Sequence, residues 1–278
     1  MCLPVTVGVD GSPASLAAAD WAASEAALRD RPLRILHAVP LMPHLLPSRL
    51  RQGRAAVLDG TSVLHEAEHA VAVRHPQVCA HTEEIHDLAT VALVAAAEDA
   101  ELLVLAARGD GGFHGLRVGS TTLRVAPRAS CPTVVVPSVA AGPAPREEVV
   151  VGLHSRRPGA AALDFAFDAA RRYRLPLRVL HAFPPELTAP ADRRAELRRS
   201  ESEFARTLLA RWTASYPEVR VTVEAEPAAA GSLLVEASQK ARLLVLGRRP
   251  WDSGGGLGPV AHALLHHTGC PLVLVPET

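Results

Sequence analysis

A chain of 278 residues, 48% hydrophobic and 21% charged, has enough apolar material for two domains with cores of their own and is neither disordered nor fibrous. A formal net charge of zero and a pI of about 7.2 argue against a general nucleic-acid binder, for which a strongly basic face is expected. Apolar runs stop at four to eight residues, so none reads as a membrane span, and no basic start precedes an apolar stretch as in a signal peptide, which makes the cytoplasm the expected location.

In chain order the first half reads as strand 4–9, helix 13–30, strand 33–39, helix 50–74, strand 78–85, helix 88–100, strand 102–106, helix 119–129 and strand 132–136. Short aliphatic runs alternate with alanine-rich amphipathic stretches, the pattern of strand–helix–strand units on a parallel sheet. Continuous runs such as Leu102 to Ala106 predict strands covered on both faces. The stretch Ser138-Val139-Ala140-Ala141-Gly142-Pro143-Ala144-Pro145 then reads as a linker, after which strands recur near 147–153, 176–183, 219–225, 243–247 and 271–275. The expected boundaries are a first domain over 1–137, a linker over 138–146 and a second domain over 147–278.

The halves are copies. Val7-Gly8-Val9-Asp10 returns as Val151-Gly152-Leu153-His154, and Leu33-Arg34-Ile35-Leu36-His37-Ala38 as Leu177-Arg178-Val179-Leu180-His181-Ala182. Leu102-Leu103-Val104-Leu105 returns as Leu243-Leu244-Val245-Leu246, and Cys131-Pro132 as Cys270-Pro271. Four blocks in one order, about 140 residues apart, mark a duplicated domain. Five parallel strands with right-handed crossovers make a doubly wound sheet, whose ligands bind beyond the strands' carboxyl ends where the winding reverses. In copy one that place collects Asp10-Gly11-Ser12 after the first strand and Ala106-Ala107-Arg108-Gly109 after the fourth.

The loop after the fourth strand is rich in glycine: Gly109, Gly111, Gly112 and Gly115 let backbone N–H groups approach a ligand. Gly119-Ser120-Thr121 opens a helix whose amides and dipole attract phosphate, the hydroxyls of Ser120 and Thr121 can donate as well, and Arg108 adds a permanent cation. No G-x-x-x-x-G-K-[ST] occurs, and His114 breaks a G-x-G-x-x-G. The glycines alone leave phosphate binding and a plain loop before a Ser120-capped helix equally open.

These residues resemble the universal stress proteins in their tandem-domain form, whose nucleotide-binding members carry G-x2-G-x9-G-[ST] after the fourth strand. Here Gly109 is followed by nine residues, Asp110 to Val118, and then Gly119-Ser120. Val7-Gly8-Val9-Asp10-Gly11-Ser12, Leu36-His37-Ala38 and Cys131-Pro132-Thr133-Val134-Val135-Val136 are similar to family blocks as well, so the resemblance spans essentially the whole chain. It implies two tandem flavodoxin-like (Rossmann-like) doubly wound α/β domains, each with a five-stranded parallel sheet. It further implies an adenine-nucleotide site, ATP with Mg2+, made of Gly8, Asp10, Ala38, Ala106, Arg108, Gly109, Gly119, Ser120 and Thr121. Asp10 would lie beside the nucleoside, Ala38 by the base, and Gly109, Gly119, Ser120 and Thr121 around the phosphates. Ala106 stands where the motif's first glycine belongs.

The resemblance also implies a stress-response regulatory binding protein with an unidentified protein partner, no nucleic acid and no membrane, and at most a slow ATPase. No lysine stands in the loop. The family pairs its last strands, here Thr133 to Val136 and Leu272 to Val275, between domains, which implies an internal pseudo-dimer and leaves a homodimer of whole chains open. A nucleotide-free interaction scaffold of the same fold is the alternative.

Copy two departs from the motif. Asp10 becomes His154, Pro250 replaces the second motif glycine, and Val260-Ala261 stands where Gly-Ser is due, so no phosphate cradle of the same kind is expected. His65-Glu66-Ala67-Glu68-His69 is a literal H-E-x-x-H, which makes a zinc hydrolase a remote alternative. On an unbroken helix, at about 100° per residue, His75 falls away from that pair, while Leu64 and Val71 share its side. His262 and His266 permit a weak metal clip, and His37 and His181, at equivalent strand ends, suggest a shared structural role. Arg171-Arg172, Arg193-Arg194 and Arg198-Arg199 read as solvated helix faces. The four cysteines form no C-x-x-C pair, and Cys131 and Cys270 read as buried thiols.

Overall fold

The computed structural model describes residues 2–40, 60–109, 117–138, 147–153, 159–185, 190–248 and 256–277. Two compact units divide the chain between Ser138 and Val139. All but Ser138 of the expected linker lies outside the described residues, as does the 50–59 portion of the second expected helix.

The first unit runs β1 (Val5–Gly8), α1 (Pro13–Arg29), β2 (Leu33–Ala38), α2 (Gly60–Arg74), β3 (Ala80–Ile85), α3 (Ala89–Ala96), β4 (Leu102–Ala106), α4 (Ser120–Val125) and β5 (Thr133–Val136). Its strands lie in the order β3-β2-β1-β4-β5, all parallel, with Val5 opposite both Leu33 and Leu102. This is the Rossmann-like form of the doubly wound sheet, and the winding reverses between β1 and β4. Val5, Val7, Leu33, Ile35, Leu102, Leu103, Val104 and Val134 have no exposed surface, as expected of strands covered on both faces.

Helix α1 packs closely because its inner face is alanine: Ala18, Ala19, Ala22, Ala23 and Ala26 are all buried. At its end Glu25 and Arg29 form a buried ion pair at 2.7 Å, which Glu101, ahead of β4, extends at 3.2 Å. Burial opposes the charge on Arg29, but the carboxylates of Glu25 and Glu101 outweigh it and raise the guanidinium pKa above its usual value.

The second unit repeats the plan with β6 (Glu148–Leu153), α5 (Ala160–Tyr173), β7 (Leu177–Ala182), α6 (Ala191–Ser215), β8 (Val221–Glu226), α7 (Ala230–Ser238), β9 (Ala241–Arg248), α8 (Pro259–His267) and β10 (Leu272–Pro276). Its order, β10-β9-β6-β7-β8, is again parallel and equivalent to the first, so β5 and β10 are edges within their own sets of five. Phe167, the largest fully buried side chain among the described residues, packs against Trp212 and Tyr216. Trp212 Nε1 donates to Asp164 at 2.6 Å, so the ring is buried with its polar atom satisfied.

Strand positions match the sequence expectation closely, and helix ends differ. The helix expected over 88–100 ends at Ala96, where the N–H of Ala97 is shared between Leu93 and Val94 and the chain tightens into a turn. The helix expected over 119–129 ends at Val125, two residues before Pro127, which cannot donate to a continuing ladder. Arg193, Arg194, Arg198 and Arg199 are exposed on the first half of α6, and Arg171 and Arg172 pair with Asp168, as expected of solvated faces. Cys131 and Cys270 are buried, Cys2 and Cys79 are exposed, and none of the four is in a disulfide. Among the described residues no helix is long and apolar enough to cross a membrane.

Candidate functional site

The parallel pairing of β1 with β4 brings the loops after both strands to one place in the first unit. Past Gly8 the chain stays extended for Val9 and then turns at Gly11, whose φ of 82° is the left-handed conformation that glycine adopts without a steric penalty. A compact network follows. Asp10 Oδ1 accepts from the Ser12 N–H at 3.1 Å and from the Ser12 hydroxyl at 2.6 Å. Ser12 Oγ in turn accepts from the Ser15 N–H at 3.1 Å and caps α1, with Pro13 at the first helical position. The Asp10 N–H donates to Ser15 Oγ at 3.2 Å. Asp10 thus serves the helix start that the sequence allowed for it.

The same carboxylate reaches the other loop. A Cβ added to Gly109 would collide with Asp10 Oδ2, so the absence of a side chain at Gly109 is what lets the two loops meet. Gly119 lies on the other flank. Its N–H donates to Ala107 O at 2.7 Å, and a Cβ there would stand 3.7 Å from Ala107 O, Arg108 Cα and Gly109 N. Thr122 Oγ1 donates to Ala106 O at 2.8 Å and ties α4 to the end of β4. Asp10, Arg108, Gly109 and Gly119 are therefore assembled around one mouth, with Asp10, Arg108 and Gly109 half-buried.

Other expected residues sit differently. Ser120 is not the cap of α4. Gly119 holds that position with extended backbone, and Ser120 is the exposed first helical residue, followed by half-buried Thr121. A glycine leaves the helix-start amides uncovered by any cap side chain. Ala38 is buried at the end of β2, next to β1. Gly8 serves packing, because its Cβ position points at Leu93, 2.7 Å from Cδ2, and at Leu105. Asp110, Gly111, Gly112, His114 and Gly115 lie outside the described residues. Sequence reasoning missed Ser15 and Thr122, although the Asp10-Gly11-Ser12-Pro13 run already signals a capped helix start.

The paired histidines are structural in both copies. His37 Nδ1 lies 2.8 Å from Val9 O, and His181 Nδ1 lies 3.3 Å from Leu153 O. Each buried ring donates to a carbonyl at the end of the neighbouring strand or one residue past it. His181 also places Nε2 3.0 Å from Glu201 of α6.

His65, Glu66 and His69 are exposed on α2, and the two imidazole centroids are 6.5 Å apart. His75 is turned to α1, where its Nε2 meets Asp20 at 2.9 Å. Among the described residues no three His, Cys, Asp or Glu side chains form a group able to hold a metal ion.

In the second unit β9 carries Gly247 at the counterpart of Ala106. Helix α8 opens with Gly258 as cap and Pro259 at the first position. The cap equivalent to Gly119 is thus Gly258, two residues before the Val260-Ala261 that spacing indicated, and a shorter intervening loop accounts for the shift. The first turn, Pro259-Val260-Ala261, has one N–H fewer than Ser120-Thr121-Thr122 and no hydroxyl. His154, Arg249 and Pro250 lie outside the described residues.

The model of the universal stress protein family matches residues 1–137 and 145–276. The chain is 30% identical to the universal stress protein Rv2623 of Mycobacterium tuberculosis over 300 residues, covering 99% of this chain and 97% of that one. It is 32% identical to Rv2005c of the same organism over 299 residues, with the same coverage. Among solved structures, a universal stress protein from Archaeoglobus fulgidus superposes with a TM-score of 0.66 at 16% identity, covering 99% of this chain and 98% of that one. Two successive matches to one family, on two units of identical strand order, make this chain a tandem member of the universal stress protein family.

Proposed function

We propose that the first unit binds an adenine nucleotide, ATP with Mg2+, one per chain, and that the protein works as a stress-response regulatory binding protein. The observation that carries this reading is the meeting of Asp10 with Gly109 at the point where the winding reverses, with Gly119 on the flank and the G-x9-G-S spacing intact. Arg108 and the helix-start amides of α4 suit phosphate oxygens, and Asp10 suits a ribose hydroxyl or the metal ion. The second unit offers Pro259, Val260 and Ala261 in place of a hydroxyl-bearing helix start and is a supporting partner. Binding with little turnover fits a site without a loop lysine, and occupancy would then act by changing conformation or the choice of protein partner.

Calorimetric titration of Mg-ATP into nucleotide-free protein, with Gly119→Val run alongside, tests this. The expected result is one site per chain, lost in the variant. Position 119 has room for a Cβ at ordinary contact distance, so the variant should keep its fold while its extra methyls crowd Arg108 and Gly109. Two sites per chain would overturn the assignment of the second unit. No binding at all would favour the nucleotide-free scaffold, the reading to which Ala106 at the first motif position also points.

A further inference from the structure

Helix α5 begins at Gly159 and has no cap side chain of its own, whereas Ser12 caps its counterpart α1. Glu277, directly after β10, takes that role from more than a hundred residues away. Its Oε1 accepts from the Ala162 N–H at 3.0 Å and its Oε2 from the Ala161 N–H at 3.4 Å. The Glu277 N–H donates to Arg248 O at 2.9 Å, which prolongs the pairing of β10 with β9 and fixes the carboxylate in place. Two glycines make room for it. A Cβ on Gly159 would collide with the carboxylate, and one on Gly247 would stand 2.8 Å from Oε1.

Comparison of the copies shows three linked exchanges. Ser15, beside the Ser12 cap, corresponds to Gly159, Ala106 to Gly247 at the end of the fourth strand, and Ser138 to Glu277 after the fifth. Side chains are removed at two places and an acid is added at the third, and these three residues are the ones in contact. An oxyanion at a helix N-terminus gains both the free amides and the dipole. We propose that the second unit contains an oxyanion site at its β6–β9 switch point which the chain fills with its own carboxylate. Glu277 caps α5 and keeps phosphate from that mouth. The proposal goes beyond the nucleotide reading and concerns the second unit alone, so it stands or falls whether or not the first unit binds ATP.

The test is hydrogen exchange at the first turn of α5 in the full-length wild type, Glu277→Ala and Glu277→Gln, each titrated with inorganic phosphate. In Glu277→Ala the amides of Ala161 and Ala162 should exchange about tenfold faster, the expected scale for a lost cap. Phosphate should restore their protection saturably, and should leave the wild type unchanged. Unchanged exchange in Glu277→Ala would overturn the cap, and faster exchange without rescue by phosphate would overturn the oxyanion site. If Glu277→Ala does not fold, Glu277→Gln decides. That variant keeps an acceptor oxygen without the charge, and phosphate should slow exchange at Ala161 and Ala162, whereas no effect of phosphate would refute the proposal.

Discussion

Asp10 directs one carboxylate oxygen into the Ser12 cap and packs the other against Gly109, so a single side chain couples the start of α1 to the loop after β4. On that geometry Gly109→Ala should displace the carboxylate and weaken Mg-ATP binding about tenfold, and the same change should cost little in an Asp10→Ala background. Calorimetry on the four proteins of the cycle measures this. Equal losses in both backgrounds would mean that the two residues act separately. That Asp10, Gly109 and Gly119 lie together was legible in the sequence because spacing and residue type carry the signal. The close packing of Leu93 and Leu105 over Gly8 was not legible, since it depends on side chains brought in from distant parts of the chain.

At the scale of elements, α1 and α5 end alike and begin differently. Asp30 and Arg174 both take φ of 54° at the C-cap and donate their N–H groups back to the last turn, a conformation that glycine reaches more cheaply. Arg174→Gly should therefore stabilise the second unit by roughly 0.5–1 kcal/mol, read as a higher urea midpoint at unchanged slope. A lower midpoint would show that the arginine side chain contributes more than the backbone conformation costs. The start of α1 is local, since Ser12, Pro13 and Ser15 are neighbours in sequence. The start of α5 depends on Glu277, 115 residues from Ala162. Helix existence was legible from amphipathic alanine-rich stretches, and helix ends were less so because caps and turns compete over a few residues.

For the whole molecule, the duplication leaves hydroxyls at the start of α4 where α8 has none, and Ser12 capping α1 where Glu277 closes α5. Saturating Mg-ATP should slow hydrogen exchange around Asp10 and at the start of α4, and leave the first turns of α5 and α8 unchanged. At a hundredfold excess over Kd the stabilisation available is about 2.7 kcal/mol, enough for a clear difference between the units. Equal protection in both would refute a single site per chain.

Sequence by itself determined the duplication, the strand positions and the meeting of the first and fourth strand ends, because aliphatic runs are local and the winding of a parallel sheet has a fixed hand. It also determined the G-x9-G-S spacing, which lies within one loop. Only the tertiary structure decided that Gly258 rather than Val260 matches Gly119, that Asp20 is the partner of His75, and that Glu277 closes α5. The last two are contacts between residues 55 and 115 positions apart, and the first depends on where a shortened loop lets a helix begin. No pattern along the chain records such pairings, since they form only when packing brings distant segments together.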